Sequence, residues 1–234
     1  MMQFNGLMKG IYWITDWITK LTITNLLWIV FNIPIVFMVL NLLVAETVGQ
    51  LIAVGITIVA LSPFVFFPAT TAMFAVVRRW VMGDKEISIV KSYWKYYKEN
   101  YKRSILMGLI LGILWFIYAI DYYYFTVHVN QSLTIVLVIF ALLLSVFTVH
   151  TISNSVHYDT KLSASFKNAV LITIGSPLLS ILISLFNGAL VYVSFTHATF
   201  LIPFFMGSVI AFISFSAYYT MYLKVEALKQ QQQA

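Results

Sequence analysis

Residues that could support catalysis are scattered along this chain. The sequence has no cysteine, so it offers no thiolate nucleophile, Cys-ligated metal or disulfide. The eight carboxylates are far apart and form no close pair suited to general acid–base work, and no phosphate-binding glycine loop is present. They are Asp16, Glu46, Asp84, Glu86, Glu99, Asp121, Asp159 and Glu226. We predict no catalytic residues, no cofactor and no enzyme activity.

Three polar residues recur on one predicted helical face, and they are the best candidates for a metal site. They are His150, Asn154 and His157. The two histidines are two turns apart, about 10 Å along a helix axis, and no carboxylate lies between them. This spacing favours packing and hydrogen bonding over a shared metal, so no metal ligands are predicted.

A basic and aromatic stretch at 86–103 is the most informative segment. At helical spacing it predicts an aromatic stripe of Tyr93, Trp94, Tyr97 and Tyr101 beside a basic stripe of Lys91, Lys95, Lys98 and Lys102. Aromatic residues with a polar edge favour the headgroup level of a membrane, and lysines there attract anionic lipids. The segment is therefore interpreted either as an interfacial anchor or as a docking surface for lipid or a partner. Nucleic acid is not an expected partner.

A second motif interrupts a long apolar run. Residues 50–77 would extend about 42 Å as a helix, more than the roughly 30 Å hydrocarbon core. Pro68 removes a backbone donor, and Thr70 or Thr71 could satisfy freed carbonyls, so a helix break is predicted here. Two interpretations stay open: a packing kink, or a broken helix whose amides bind an anion.

The amino-acid composition indicates that membrane-spanning helices position the residues described above. Hydrophobic residues make up 61% of the 234 residues and charged residues 9%, against about 45–50% and about 25% in soluble domains. The chain therefore reads as an all-α polytopic membrane protein. Six spans are predicted, near 21–44, 50–77, 104–120, 133–153, 169–193 and 199–223, and together with the basic loop 78–103 they form one transmembrane domain, 21–223.

The two ends of the chain are less uniformly apolar than the predicted spans. Residues 1–20 place apolar side chains on one arc and predict an amphipathic helix lying on the membrane, or a cap packed on the bundle. Residues 224–234 form a polar tail, and its low-complexity end, 229–234, is predicted to be disordered.

Charge predicts the orientation. All 14 Lys and Arg residues fall before the first span, in 78–103, in 158–168 or after the last span. With six spans, those stretches share one side of the membrane. By the positive-inside rule that side is the cytoplasm, so both termini are expected there.

Several stretches together resemble the YesL-like family of bacterial membrane proteins. They are Asn25–Pro34, Phe67–Ala72 running into Arg78-Arg79-Trp80, Tyr93-Trp94-Lys95 with Lys98–Lys102, and Tyr158-Asp159 with Lys167–Ala169. The resemblance covers about residues 4–170. Phe67 stands where the family pattern has glycine before the proline.

The resemblance implies a function that the residues alone do not. Members of the family are often encoded beside carbohydrate uptake systems. It therefore implies a non-enzymatic accessory protein of the bacterial cell membrane, associated with the permease subunits of a carbohydrate ABC importer. The alternative is a stand-alone transporter or channel for a small neutral or anionic solute, although no charged side chain lies centrally in a predicted span.

The absence of native cysteine makes the orientation directly testable. Single cysteines introduced as Ser132→Cys and Thr196→Cys are expected to react with a membrane-impermeant thiol reagent only from outside the cell, because both lie in segments without basic residues. Labelling of either position from the cytoplasmic side would contradict the predicted topology.

Overall fold

The computed structural model describes residues 6–84, 86–158 and 160–233, and this part of the chain is almost entirely helical. It contains α1 (Gly6–Phe31), α2 (Ile33–Leu43), α3 (Val48–Leu61), α4 (Phe66–Val81), α5 (Ile89–Tyr124), α6 (Thr134–His157), α7 (Leu162–Gly175), α8 (Pro177–Thr196) and α9 (Gly207–Gln233). Short π-helical turns at Phe125–Val129 and Ile202–Met206 precede α6 and α9, and a 3₁₀ turn lies at Gln131–Leu133.

Four helices in the described residues are long and apolar enough to cross a membrane. They are Ile89–Val129, Thr134–His157, Pro177–Thr196 and Ile202–Ala227. Two bent pairs qualify when each is taken as one span: α1 with α2, bent by 78°, and α3 with α4, bent by 50°. The protein is thus an all-α, multi-pass membrane protein with four to six spans.

The N-terminal helix differs from the prediction. The described residues show no boundary between a surface helix over 1–20 and a span from 21, because α1 is continuous from Gly6 to Phe31. The chain bends instead at Asn32, whose side chain donates to the carbonyl of Trp28 at 2.7 Å. Pro34 lies in the first turn of α2, where its missing N–H breaks no intrahelical bond. Residues 1–5 lie outside the described part.

The basic segment is also continuous with the span that follows it. We predicted an amphipathic helix within 86–103 and a separate span at 104–120, but α5 runs unbroken through both. No proline occurs between Ile89 and Tyr124, so nothing terminates the helix. Its 36 residues extend about 54 Å, well beyond a hydrocarbon core of roughly 30 Å.

Two other predicted spans contain turns. The predicted span 169–193 is interrupted at Ser176, where α7 ends and Pro177 opens α8. The span predicted from 199 begins with the π-helical turn Ile202–Met206. The tail predicted to be disordered is helical to Gln233, consistent with the high helix propensity of Lys, Leu, Ala and Gln.

Helix α4 is the centre of the bundle. Every residue from Phe67 to Val77 is buried, as is Trp80. Its neighbours are α1, α5, α6 and α9. Three alanines, Ala69, Ala72 and Ala75, allow close approach of neighbouring helices, which is how helices associate in a membrane.

One close contact of this core is between α4 and α5, at Gly108. A Cβ built on Gly108 would lie 2.7–2.9 Å from atoms of the Phe67 side chain. No side chain fits there unless Phe67 moves. Four residues further along α5, a Cβ on Gly112 would meet only the Ser62 Oγ, at 3.9 Å.

We therefore expect Gly108→Ala to destabilise the protein by about 1–3 kcal/mol, the usual cost of overpacking a core. Gly112→Ala is the matched control on the same helix and should be neutral or slightly stabilising. Thermal unfolding in a mild detergent measures both. Equal melting temperatures for the two variants would show that the α4–α5 contact is looser than described.

Candidate functional site

The hydrogen bonds of Asn25 define a junction in the interior of the bundle. Its side-chain nitrogen donates to the carbonyls of Ile202, at 3.0 Å, and Pro203, at 2.7 Å. Its side-chain oxygen accepts from the backbone N–H of Ser208 at 3.0 Å. One fully buried amide on α1 thus pairs with three backbone groups, those of the turn before α9 and of the first turn of α9.

These backbone groups need a side-chain partner because of local chain geometry. The π-helical turn Ile202–Met206 gives way to the α-helix at Gly207, which interrupts the regular pattern of backbone pairing. Pro203 contributes no N–H to that pattern. Inside a membrane an unpaired backbone group costs several kcal/mol, so a polar side chain must supply the missing bonds.

Two further residues extend the junction to α4. Trp28, one turn after Asn25, donates its indole N–H to the Thr70 hydroxyl at 3.0 Å. Gly207 leaves room for both α1 side chains, since a Cβ there would lie 3.1 Å from Asn25 Oδ1 and 3.3 Å from the Trp28 ring. We call Asn25, Trp28, Thr70, Gly207 and Ser208 the Asn25 junction. It joins α1, α4 and α9.

The predicted helix break lies earlier than Pro68. The chain bends at Ser62–Val65, around Pro63, and Pro68 is the third residue of α4. In that first turn a proline opens a helix instead of breaking it. The bend in this run thus lies before α4, whereas Pro68, Thr70 and Thr71, where the break was predicted, are within that helix.

The threonines that follow Pro68 make internal bonds. Thr71 donates to the carbonyl of Phe67 at 2.8 Å, and Thr70 accepts from Trp28. The amides of Phe67 and Ala69 are paired with the carbonyls of Ser62 and Val65. Both threonines are buried, so this segment acts in packing.

The aromatic stripe of α5 is divided between core and surface, since Tyr93 is buried, Trp94 is exposed and Tyr97 and Tyr101 are half-buried. Tyr93 is wholly buried, and its hydroxyl donates to the carbonyl of Ala69 at 2.7 Å. Phe31, at the end of α1, lies 5.1, 5.6 and 4.6 Å from the rings of Tyr93, Trp94 and Tyr97. Tyr93 therefore does not seat the helix in lipid, and Phe31, which sequence reasoning missed, holds the stripe in place.

The basic stripe of α5 lies on the open surface. Lys91, Lys95, Lys98 and Lys102 are all exposed. Lys95 lies 3.9 Å from Glu99, and Lys98 lies over the Trp94 ring at 5.2 Å. Tyr101 joins this surface to the chain bend, since its hydroxyl donates to the carbonyl of Phe64 at 3.4 Å. These four cations remain available to an external anion.

The polar face of α6 packs against α9. Asn154 donates to the Tyr218 hydroxyl at 2.8 Å, and the ring of His150 lies 6.2 Å from that of Tyr218. His157 is surrounded by aromatic rings, the nearest being Tyr222 at 4.5 Å. Both nitrogens of the buried His150 ring lack a hydrogen-bond partner among the described residues. In the same part of the chain, no three His, Cys, Asp or Glu side chains are grouped as metal ligands would be.

This chain is similar to one protein family and to bacterial proteins whose functions are not established. The sequence model of a family described as "Protein of unknown function, DUF624" matches residues 21–122. Uncharacterized protein YteU of Bacillus subtilis (strain 168) is 26% identical over 230 residues, covering 96% of this chain and 90% of YteU. Uncharacterized protein YesL of the same organism is 24% identical over 233 residues, covering 94% and 95% respectively.

A third relative covers a shorter part of the chain. Uncharacterized protein YesV of B. subtilis is 28% identical over 145 residues, covering 61% of this chain and 69% of YesV. No solved structure matches. These similarities, to YesL among others, confirm the resemblance to the YesL-like family that the motifs indicate. The matched family segment contains Asn25, Trp28 and Thr70, three of the five junction residues.

We expect Asn25→Leu to destabilise the fold by about 2–4 kcal/mol, because three backbone groups lose their partner and interhelical bonds in membranes contribute roughly 0.6–2 kcal/mol each. Asn41→Leu is the matched control, since the Asn41 side chain donates to the Phe37 carbonyl of its own helix. Thermal unfolding in detergent compares the two. Equal melting temperatures for the two variants would show that the Asn25 junction does not stabilise the helical bundle.

Proposed function

We propose that this protein is a non-enzymatic accessory subunit of the bacterial plasma membrane, with six spans and both termini in the cytoplasm. It associates with the transmembrane permease subunits of a carbohydrate ABC importer. The helical bundle supplies a membrane-embedded partner surface and the basic half of α5 supplies a cytoplasmic one. The orientation follows from the charge distribution, and the carbohydrate importer follows from the family resemblance.

The observation that carries the proposal is the hairpin formed by α2 and α3. The two helices pack chiefly against each other, and the bends of 78° and 50° separate them from α1 and α4. Ile35 is the one buried residue among those the structure describes in the two helices. Phe37, Leu43 and Ile52 are 59%, 79% and 57% exposed. The hairpin adds little to the core, which favours a role in contacts with another membrane protein.

Small residues make the exposed face of α3 suited to helix association. Gly49 and Ala53 lie one turn apart and are both exposed. Small side chains at this spacing let the backbones of two helices approach closely. Such packing drives helix association in a membrane, where there is no hydrophobic driving force between helices. Neighbouring permease helices are the expected partner of this face.

The interior supports an accessory role over transport. Asn25 and Trp28 bond groups of α9 and α4, and Asn187 donates to the Ser214 hydroxyl at 3.0 Å. These polar side chains serve to join helices. A path for a solute would instead need polar groups directed at the solute.

The alternative is a stand-alone transporter or channel for a small neutral or anionic solute, and one observation favours it. Consecutive polar residues of α6 are buried, from His150 through Ser155 apart from Ile152. Several of their polar atoms, including both His150 nitrogens and Asn154 Oδ1, have no partner in the described residues. Such atoms would suit a hydrated path.

The two functions are separated by one pair of variants. Ala53→Trp places a large ring on the exposed face of α3, and Ala189→Trp places the same ring on an exposed position of α8. After purification in mild detergent, we expect carbohydrate permease subunits to co-purify with the wild type and with Ala189→Trp. Their yield should fall at least several-fold with Ala53→Trp.

Two results would contradict the accessory role. One is equal recovery of the permease subunits with both variants at matched melting temperatures. The other is solute flux into liposomes that contain this protein alone, which would support the transporter. Loss of that flux in His150→Phe would then assign the path to α6.

A further inference from the structure

A groove between α3 and α5 opens on the surface of the bundle. Its volume is about 360 Å³, and its lining includes Ile56, Val59 and Pro63 on one side and Leu109, Gly112 and Phe116 on the other. Every residue that lines it is apolar. The groove exists because α3 ends at Leu61, where the chain bends, and because Gly112 has no side chain to fill it.

The groove lies directly below the basic stripe of α5. At 3.6 residues per turn, Lys98, Lys102, Leu109, Gly112 and Phe116 fall within an arc of about 80° on one helix face. The seven residues from Lys102 to Leu109 correspond to about 10 Å along the axis. A single helix face therefore changes from cationic to apolar over the distance between a lipid headgroup and its acyl chain.

A second depression lies at the basic end of α5. It has a volume of about 300 Å³ and is lined by Tyr97, Lys98 and Tyr101. The Tyr101 hydroxyl bonds the carbonyl of Phe64, which follows Pro63 at the edge of the groove. The Lys98 cation thus lies beside the apolar groove, as attraction of a lipid phosphate would require.

We propose that this groove and its lysines bind one anionic glycerophospholipid. An acyl chain occupies the groove, and the phosphate lies against Lys98 and Lys102. The lining has no polar partner to offer a polar solute. A helix body, 10–12 Å in diameter with its side chains, is too wide for a depression of this volume. The opposite charges of phosphate and lysine select the anionic headgroup. This inference is independent of any importer partner.

Native mass spectrometry of the full-length protein, with equimolar phosphatidylglycerol and phosphatidylcholine, tests the proposal. The wild type should retain phosphatidylglycerol preferentially. The double variant Lys98→Gln and Lys102→Gln should reduce that preference roughly tenfold to thirtyfold, at about 1 kcal/mol for each lysine near the surface. Lys91→Gln with Lys95→Gln removes the same charge further from the groove and should leave the preference unchanged.

The acyl-chain part of the proposal has its own variants. Gly112→Leu fills the groove and should reduce retention of both lipids, whereas Gly188→Leu, at an open position of α8, should not. A phosphatidylglycerol with a photoreactive acyl chain should label residues 109–116 of α5. Because the lysine variants leave the interior untouched, they test the site even if Gly112→Leu fails to fold.

Three results would overturn the proposal. Unchanged lipid preference in the Lys98 and Lys102 variant would reduce the site to bulk lipid contact. Labelling outside α3 and α5 would place the lipid elsewhere. Disulfide-linked dimers of Ile113→Cys that exclude lipid would show that a second copy of the chain occupies the groove.

Discussion

The structure depends on the requirement that backbone polar groups find partners inside the membrane. At the start of α9 the Asn25 side chain meets this requirement. It pairs with two backbone carbonyls of the π-helical turn and with one backbone amide of the first turn of α9. Because the same turn of α1 also carries Trp28, whose indole bonds Thr70, the last helix and the central helix are fixed to one short stretch of α1. The glycine at 207 is part of this constraint, since it gives both side chains their space.

The remaining architecture follows from where prolines allow the chain to turn. Helices α1 and α5 have no internal proline and continue past the boundaries expected of a membrane span. Pro34, Pro63 and Pro177 lie close to bends or turns, whereas Pro68 is accommodated in the first turn of α4. The bends at Asn32 and Ser62–Val65 move α2 and α3 away from the core. That displacement leaves the hairpin exposed and opens the apolar groove beside α5.

Local patterns were enough to predict the helical membrane class, the family resemblance and the exposed lysine stripe. The lysines recur at i, i+4, i+7 and i+11, so their common face depends on helix geometry alone. The roles of Asn25 and Tyr93 could not be predicted in the same way. Asn25 bonds residues 177 and 178 positions away, and Tyr93 bonds one 24 positions away. A tyrosine at the membrane surface and a tyrosine in the core look alike in sequence. The sequence did not reveal that the bend precedes Pro68. A proline in the first turn of a helix differs from one in the helix interior only by where the helix begins, and that start is not visible in the local pattern.

The two faces of helix α5 differ in role: the aromatic face contributes to the fold, and the basic face is exposed to partners. Its aromatic face packs on Phe31 and α4, so changes there act first on the fold. The lysines of its basic face are exposed, and two of them contact Trp94 and Glu99 on the same helix, so changes there alter surface charge without removing core contacts. The apolar groove lies on the basic side of this division, although it is formed by a helix that also builds the core. A surface that can change without cost to the bundle is where binding specificity can be adjusted. The basic face of α5 therefore has a physical basis for a role in recognition that the buried Asn25 junction lacks.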